Sequence, residues 1–139
     1  MFRDEQLYQL IPQRPPMVMV DAVFSATDTE AQTGLTIKPQ NIFVSEGKIR
    51  EAGLIEHIAQ SAAAFAGYGT FVKGLPPRLG YIGEIKRCNI HMLPPVGSEL
   101  KTHLRLLGEA VGVSLIEAQT MVDNQPVADC QMKIFIKED

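Results

Sequence analysis

The stretch from Glu51 to Lys73, EAGLIEHIAQSAAAFAGYGTFVK, constrains the fold of this chain more than any other. Its six alanines give it high helix propensity. Only Glu51, Glu56, His57 and Lys73 carry or can gain charge near neutral pH. A helix so apolar on every side is poorly placed on a surface. The small residues Ala59, Ala62, Ala63, Ala64, Ala66 and Gly67 imply close contact around most of its circumference. Gly53, Gly67 and Gly69 weaken it locally, so something approaches its backbone closely. Gly74 fits a C-terminal cap, with Pro76 just beyond it. Such a helix is ~34 Å long and needs a sheet of similar length to bury it.

The rest of the chain supplies strands. Residues Asp4 to Ile11 predict a short helix, because Leu7, Leu10 and Ile11 share a face and Pro12 follows. The segment PQRPP is rigid and extended. Met17–Phe24 reads as a strand, paired with Gln32–Ile37 across a polar turn at Thr27–Glu30. Asn41 to Arg50 is polar and irregular, with Gly47 as a breaker. After the helix, strands are expected over Tyr81–Met92, Leu100–Leu106, Val113–Val122 and Val127–Lys137. The last of these alternates Ala128, Cys130, Met132, Ile134 and Ile136 with polar residues, the period of a half-buried antiparallel sheet. Gly108 and Gly112 mark one hairpin, and Asp123–Asn124–Gln125 another turn. The expectation is an α+β chain: two strands, a buried helix, then four strands, in a single domain over residues 1–139.

Bulk properties narrow the partners. A net charge of −3 argues against a nucleic-acid binder. No run approaches the ~20 apolar residues of a membrane span, and no charged start leads into an apolar stretch. A cytoplasmic protein is the expectation. Cys88 and Cys130 lack any zinc-ligand spacing, so buried reduced thiols are expected and neither metal nor cofactor is implied.

Glu56 is the informative residue. It lies early on a helix expected to be buried, where a carboxylate needs a partner or an altered pKa. Either outcome suits acid–base chemistry. Gln60 lies one turn later on the same face and reaches Glu56. Gly53 lies one turn earlier, and its N–H belongs to the first turn, where donors lack helical partners and the dipole favours negative charge. A thioester carbonyl on Gly53 N–H would place the reacting carbons near Glu56. The other reading of Glu56 is a structural carboxylate bonded to a strand or a subunit partner. His57 is rotated about 100° from Glu56 and reads as a packed or surface residue, with catalysis the lesser option. His103 alternates with Lys101 and Arg105 and reads as solvent-facing, while His91 stays open. No Ser-His-Asp order or nucleophile elbow appears.

Three segments resemble the hot-dog-fold 3-hydroxyacyl-[acyl carrier protein] dehydratases. They are IPQRPPMVMVDAV, GLIEHIAQSAAAFAGY and GLPPRLGYIGEIKRCNIHMLPPVGSEL, in the family's order and spacing. The helix segment is most similar to the dehydratase-like proteins of aryl-polyene and flexirubin pigment clusters. The resemblance implies a curved antiparallel sheet around one central helix, and an acyl tunnel at a subunit interface. It implies a homodimer, or a heterodimer with another hot-dog subunit, acting on acyl thioesters carried by acyl carrier protein. It implies Glu56 as the catalytic carboxyl, with Gly53, Gln60, Gln13 and Gly83 contacting substrate. The chain also departs from the family. Active members carry a histidine before the helix in a His-Phe-Pro-Gly segment, and here NIFVSEGKIREAG has none. Their opening histidine is replaced by Gln13.

The expected activity is loss of water from a (3R)-hydroxyacyl thioester in fatty-acid or polyene synthesis. The alternatives are a non-catalytic partner subunit of a heteromeric dehydratase, or an acyl thioesterase with Glu56 activating water. Lys48, Arg50, Arg78, Lys86 and Arg87 offer a basic rim to an acidic carrier protein, or serve only as scattered solubilising charges.

Overall fold

A computed structural model describes residues 1–75 and 80–136. The long helix, α1, spans Glu51–Phe71. Gly74 follows it at φ 74°, the left-handed conformation expected of a terminating glycine. Pro76, Arg78 and Lys137, singled out in the sequence, lie outside the described residues.

The described residues form nine strands besides the helix. They are β1 (Phe2–Arg3), β2 (Ala22–Ala26), β3 (Glu30–Thr36), β4 (Val44–Ser45), β5 (Lys48–Ile49), β6 (Gly80–Ile90), β7 (Glu99–Ala110), β8 (Val113–Val122) and β9 (Gln125–Ile136). Seven form one antiparallel sheet in the order β1-β2-β3-β7-β8-β9-β6. The helix touches β2, β3, β6, β7 and β8, so the sheet curves around it. This is the hot-dog arrangement. Its core joins Leu54, Ile58, Ala62 and Phe65 of the helix to Leu100, Leu104, Ala118 and Met132 of the sheet. A second cluster packs Leu7, Leu10, Ile11 and Val20 on the helix at Ala64.

The sequence expectations hold for most strands, with four differences. The N-terminal helix is a 3-10 turn over Asp4–Gln9, too short to settle as an α-helix. Met17–Asp21 is not a strand; β2 begins only at Ala22. The backbone of Met17 and Met19 bonds to side chains of α1 instead of to a neighbouring strand. Gly108 sits at a register shift inside β7, and the hairpin turns at Gly112, φ 73°. Finally, β4 and β5 form a small hairpin in the stretch expected to be irregular, turning at Glu46 and Gly47 with φ 55° and 76°.

Candidate active site

The segment from Leu10 to Met19 is a strap laid along α1. At one end, a Cβ on Gly67 would stand 2.0 Å from the Leu10 carbonyl oxygen, so glycine lets the strap touch the helix backbone. At the other end, Gln60 clasps the strap. Its Oε1 accepts the Met19 N–H at 2.6 Å. Its Nε2 donates to the Met17 carbonyl at 2.7 Å and to Glu56 Oε1 at 2.8 Å. Gln60 is buried, and its amide spends both N–H donors and one of the two oxygen lone pairs on these bonds, so it positions Glu56. Glu56 is half-buried, and among the described residues Gln60 is its hydrogen-bond partner.

Gly53 lies one turn before Glu56 as expected, but its N–H is engaged. It donates to the Arg50 carbonyl at 3.0 Å, because the first turn tightens into an i to i−3 bond. A polarising role for this N–H would require that bond to open. The lack of a side chain at Gly53 has a packing reason. A Cβ there would meet Phe43 Cβ at 2.5 Å and Ile49 Cγ1 at 2.8 Å.

His57 belongs to the core. Nδ1 lies 2.7 Å from the Met19 carbonyl and Nε2 lies 2.8 Å from Thr102 Oγ1. The carbonyl only accepts, so Nδ1 carries the proton and Nε2 accepts from the Thr102 hydroxyl. Thr102 in turn meets Thr120 at 2.7 Å. Burial drives the pKa of His57 down to about 4, against the raising effect of the Met19 bond. His57 is therefore a neutral strut whose two nitrogens are both occupied.

The other histidines face away from the helix. His91 Nε2 bonds Asp129 Oδ2 at 2.8 Å, and Asn89 bonds the other oxygen at 3.0 Å. These two bonds hold the Asp129 carboxyl below its usual range. Asp129 alternates with the buried Ala128 and Cys130, which places it on the outer face of β9. His103 bonds Glu30 at 3.1 Å on the outer face of β7 and β3. Neither faces Glu56.

Gln13 sits on the strap between its two anchor points. Its Oε1 is buried without a hydrogen-bond partner among the described residues. Arg14 stiffens the strap beside it, donating to the Ile11 and Gln13 carbonyls at 2.9 and 2.7 Å. Gly83 lies on β6 under the ring of Phe135, where a Cβ would come within 1.8 Å of that ring. The structure thus joins Glu56, Gln60 and the strap, with Gly53 one turn away. It leaves His57 in the core and Gly83 beneath Phe135. The anchoring carbonyls and N–H of Met17 and Met19 were not visible in the sequence, since backbone groups carry no residue signature.

A profile of the ApeP-like family, described as ApeP dehydratase, matches residues 5–139. The chain belongs to the ApeP-like dehydratase family. None of the curated proteins matches it. Solved structures similar to this ApeP-like chain share its fold. One is the dehydratase heterocomplex ApeI:P from Xenorhabdus doucetiae, at TM-score 0.88 and 16% identity, covering 96% of this chain and 91% of that one. Another is a sigma28-regulated virulence protein from Campylobacter jejuni, at TM-score 0.74 and 11% identity, with coverage of 94% and 93%. A third is a hypothetical thioesterase with coenzyme A from Streptococcus pneumoniae, at TM-score 0.67 and 9% identity, with coverage of 85% and 86%. Among the described residues, no helix is long and apolar enough to cross a membrane, and no group of three or more His, Cys, Asp or Glu gathers to hold a metal.

Proposed function

We propose that this ApeP-like chain supplies the carboxyl half of a 3-hydroxyacyl thioester dehydratase, completed by a second hot-dog subunit. The observation that carries the proposal is the clasp at Glu56, which fixes one carboxyl oxygen through Gln60. In the reaction a base removes the proton on Cα. The Glu56 carboxyl gives a proton to the β-hydroxyl, the C–O bond breaks, the C=C bond forms and water leaves. Gln13 Oε1 is an acceptor for a hydroxyl or amide N–H of the substrate.

The base comes from the partner in this reading. All three histidines of the chain are spoken for, one in the core and two on the outer face. A heteromeric partner is supported by the likeness to the ApeI:P heterocomplex. The joining surface is β6, the last strand of the sheet, exposed from Ile82 to Asn89. The substrate carrier is an acidic acyl carrier protein in the cytoplasm, met by the exposed Lys48, while Lys86 and Arg87 lie on the β6 edge given to the second subunit. Arg50 leans towards its neighbour Glu51 at 3.7 Å and is a weaker candidate for that rim.

The test is water loss from a 3-hydroxyacyl thioester, followed by enoyl absorbance. The chain is assayed alone and with a histidine-bearing hot-dog subunit, each beside Glu56→Gln. Turnover only in the pair, lowered at least about a hundredfold by Glu56→Gln, is the expected result. Full turnover by the pair carrying Glu56→Gln would overturn the role of Glu56. Release of free thiol without enoyl product would make the reaction a hydrolysis.

A further inference from the structure

Two side chains of α1 stand in for a neighbouring strand at Met19. Gln60 Oε1 accepts the Met19 N–H at 2.6 Å, and His57 Nδ1 donates to the Met19 carbonyl at 2.7 Å. Residues 57 and 60 are one turn apart on the helix, a spacing that lets both reach the same strap residue. Met19 is fully buried, so neither of its backbone groups has water as an alternative partner.

The direction of these bonds is set in the sheet. A carbonyl only accepts, so His57 needs its proton on Nδ1 and a donor for Nε2. Thr102 of β7 supplies that donor at 2.8 Å. With its own proton given to His57, the Thr102 hydroxyl accepts from Thr120 of β8 at 2.7 Å. All three side chains are buried. Donation therefore runs one way, from Thr120 to Thr102 to His57 to the Met19 carbonyl. On the other side of Met19, its N–H claims the oxygen end of the Gln60 amide. The nitrogen end is left for Glu56 Oε1 and the Met17 carbonyl. An amide turned over would set oxygen against oxygen at both of those partners. The strap thus decides which end of Gln60 meets Glu56, and His57 holds the strap in place.

We propose that His57, backed by Thr102 and Thr120, is a positioning residue for the dehydration, holding the Glu56 carboxyl in its reacting direction through Met19 and Gln60. This rests on the reading of Glu56 as the acid of that reaction. When His57 loses its Nδ1 proton to the other tautomer, the Met19 carbonyl is left unpaired in the core. The strap then shifts towards another donor, the Met19 N–H leaves Gln60, and Glu56 loses its fixed direction. The fold also carries a matched control. Thr33 of β3 donates to Ser61 of the same helix at 2.7 Å, and both are buried. Among the described residues, neither of these side chains bonds the strap.

The test follows enoyl formation by the chain together with its histidine-bearing hot-dog partner, at a temperature where every variant is folded. Thr102→Val keeps the shape of the side chain and removes the donor to His57. It is expected to lower kcat about tenfold with KM unchanged, because a slight misplacement of a reacting group is costly. Thr102→Ser restores the hydroxyl and should return kcat to within about twofold of the parent. Thr33→Val makes the same chemical change at a buried site away from the strap and should also leave kcat within about twofold. Nitrogen NMR of the histidines at neutral pH reads the tautomer without turnover. The proton of His57 should sit on Nδ1 in the parent and in Thr102→Ser, and be shared between the two nitrogens in Thr102→Val. A parent with that proton on Nε2 would overturn the inference before any variant is made. So would equal kcat in Thr102→Val and Thr33→Val, or a change confined to KM. If Glu56→Gln abolished turnover while Thr102→Val kept it, the inference alone would fall. If Glu56→Gln turned over like the parent, the reading of Glu56 would fall and take the inference with it.

Discussion

Gln60 Nε2 donates to Glu56 Oε1 at 2.8 Å one helical turn away, while the same amide holds both Met17 and Met19 of the strap. The position of the carboxyl and the attachment of the N-terminal segment are thus one structural feature. Gln60→Leu keeps the size of the side chain and removes all three bonds, leaving the Met19 N–H and Met17 carbonyl without partners. The expected loss of stability is about 2–4 kcal/mol, read from urea unfolding, because unpaired buried backbone groups are costly. Turnover should fall as well at temperatures where the variant is folded, since Glu56 loses its orientation. A variant as stable as the parent would show that the strap is held elsewhere.

His57 gives the fold a dependence on pH with a definite sign. In the native state its pKa is about 4, against 6.5 for an ordinary histidine. Between those values the unfolded chain binds the extra proton and the native chain does not. The contribution to stability is complete above pH 6.5 and is lost as pH falls towards 4, by roughly 3 kcal/mol in all. Urea unfolding at pH 7 and pH 4.5 measures it. His57→Gln keeps a donor and an acceptor but cannot ionise. Its stability should change less between the two pH values than that of the parent, although it is lower at pH 7. Equal pH slopes for both proteins would show that other groups carry the acid sensitivity.

The architecture was legible in the sequence because the two strongest signals were physical and long. An alanine-rich helix with four chargeable groups must be buried, and four strands with period two must bury it. Glu56 and Gln60 were legible together because their spacing puts them on one face. The strap was not. Met17–Asp21 has the apolar, β-branched look of a strand, yet its backbone finds side-chain partners on α1. Local propensity cannot report a bond to a residue some 40 positions away. Gly53 shows the same limit. Its N–H lies in the turn where donors are left over, and a tightened turn engages it.

Two glycines separate packing against backbone from packing against a movable side chain. At Gly67 a Cβ would stand 2.0 Å from the Leu10 carbonyl oxygen, and neither backbone can yield without moving the strap. Gly67→Ala is expected to cost about 3 kcal/mol by denaturant unfolding. At Gly83 the obstruction is the ring of Phe135, a side chain 40% exposed on the last strands of the sheet. That ring has solvent to rotate into, so Gly83→Ala should cost no more than about 1 kcal/mol. A cost at Gly83 as large as at Gly67 would mean that the ring is pinned, and would give Gly83 more weight as a site residue.

Among the described residues, strand β6 ends the sheet with an unpaired edge of eleven residues, and Ile82 and Ile85 are 40% and 39% exposed on it. A long edge with exposed isoleucines invites another strand unless something blocks it. Lys86 and Glu84 supply charge there but face each other at 3.7 Å, which blunts their effect as a deterrent. In the proposed assembly this edge meets the second hot-dog subunit. Ile85→Lys places an unpaired charge in the seam and should shift the complex to separate subunits, read by light scattering after size-exclusion chromatography. The fold itself should persist, because Ile85 is already substantially exposed in the isolated chain. The enoyl-forming activity of the pair should disappear along with the complex. If Ile85→Lys left the assembly intact, the subunits would have to join through some other face, and the base that Glu56 lacks would have to reach it by another route.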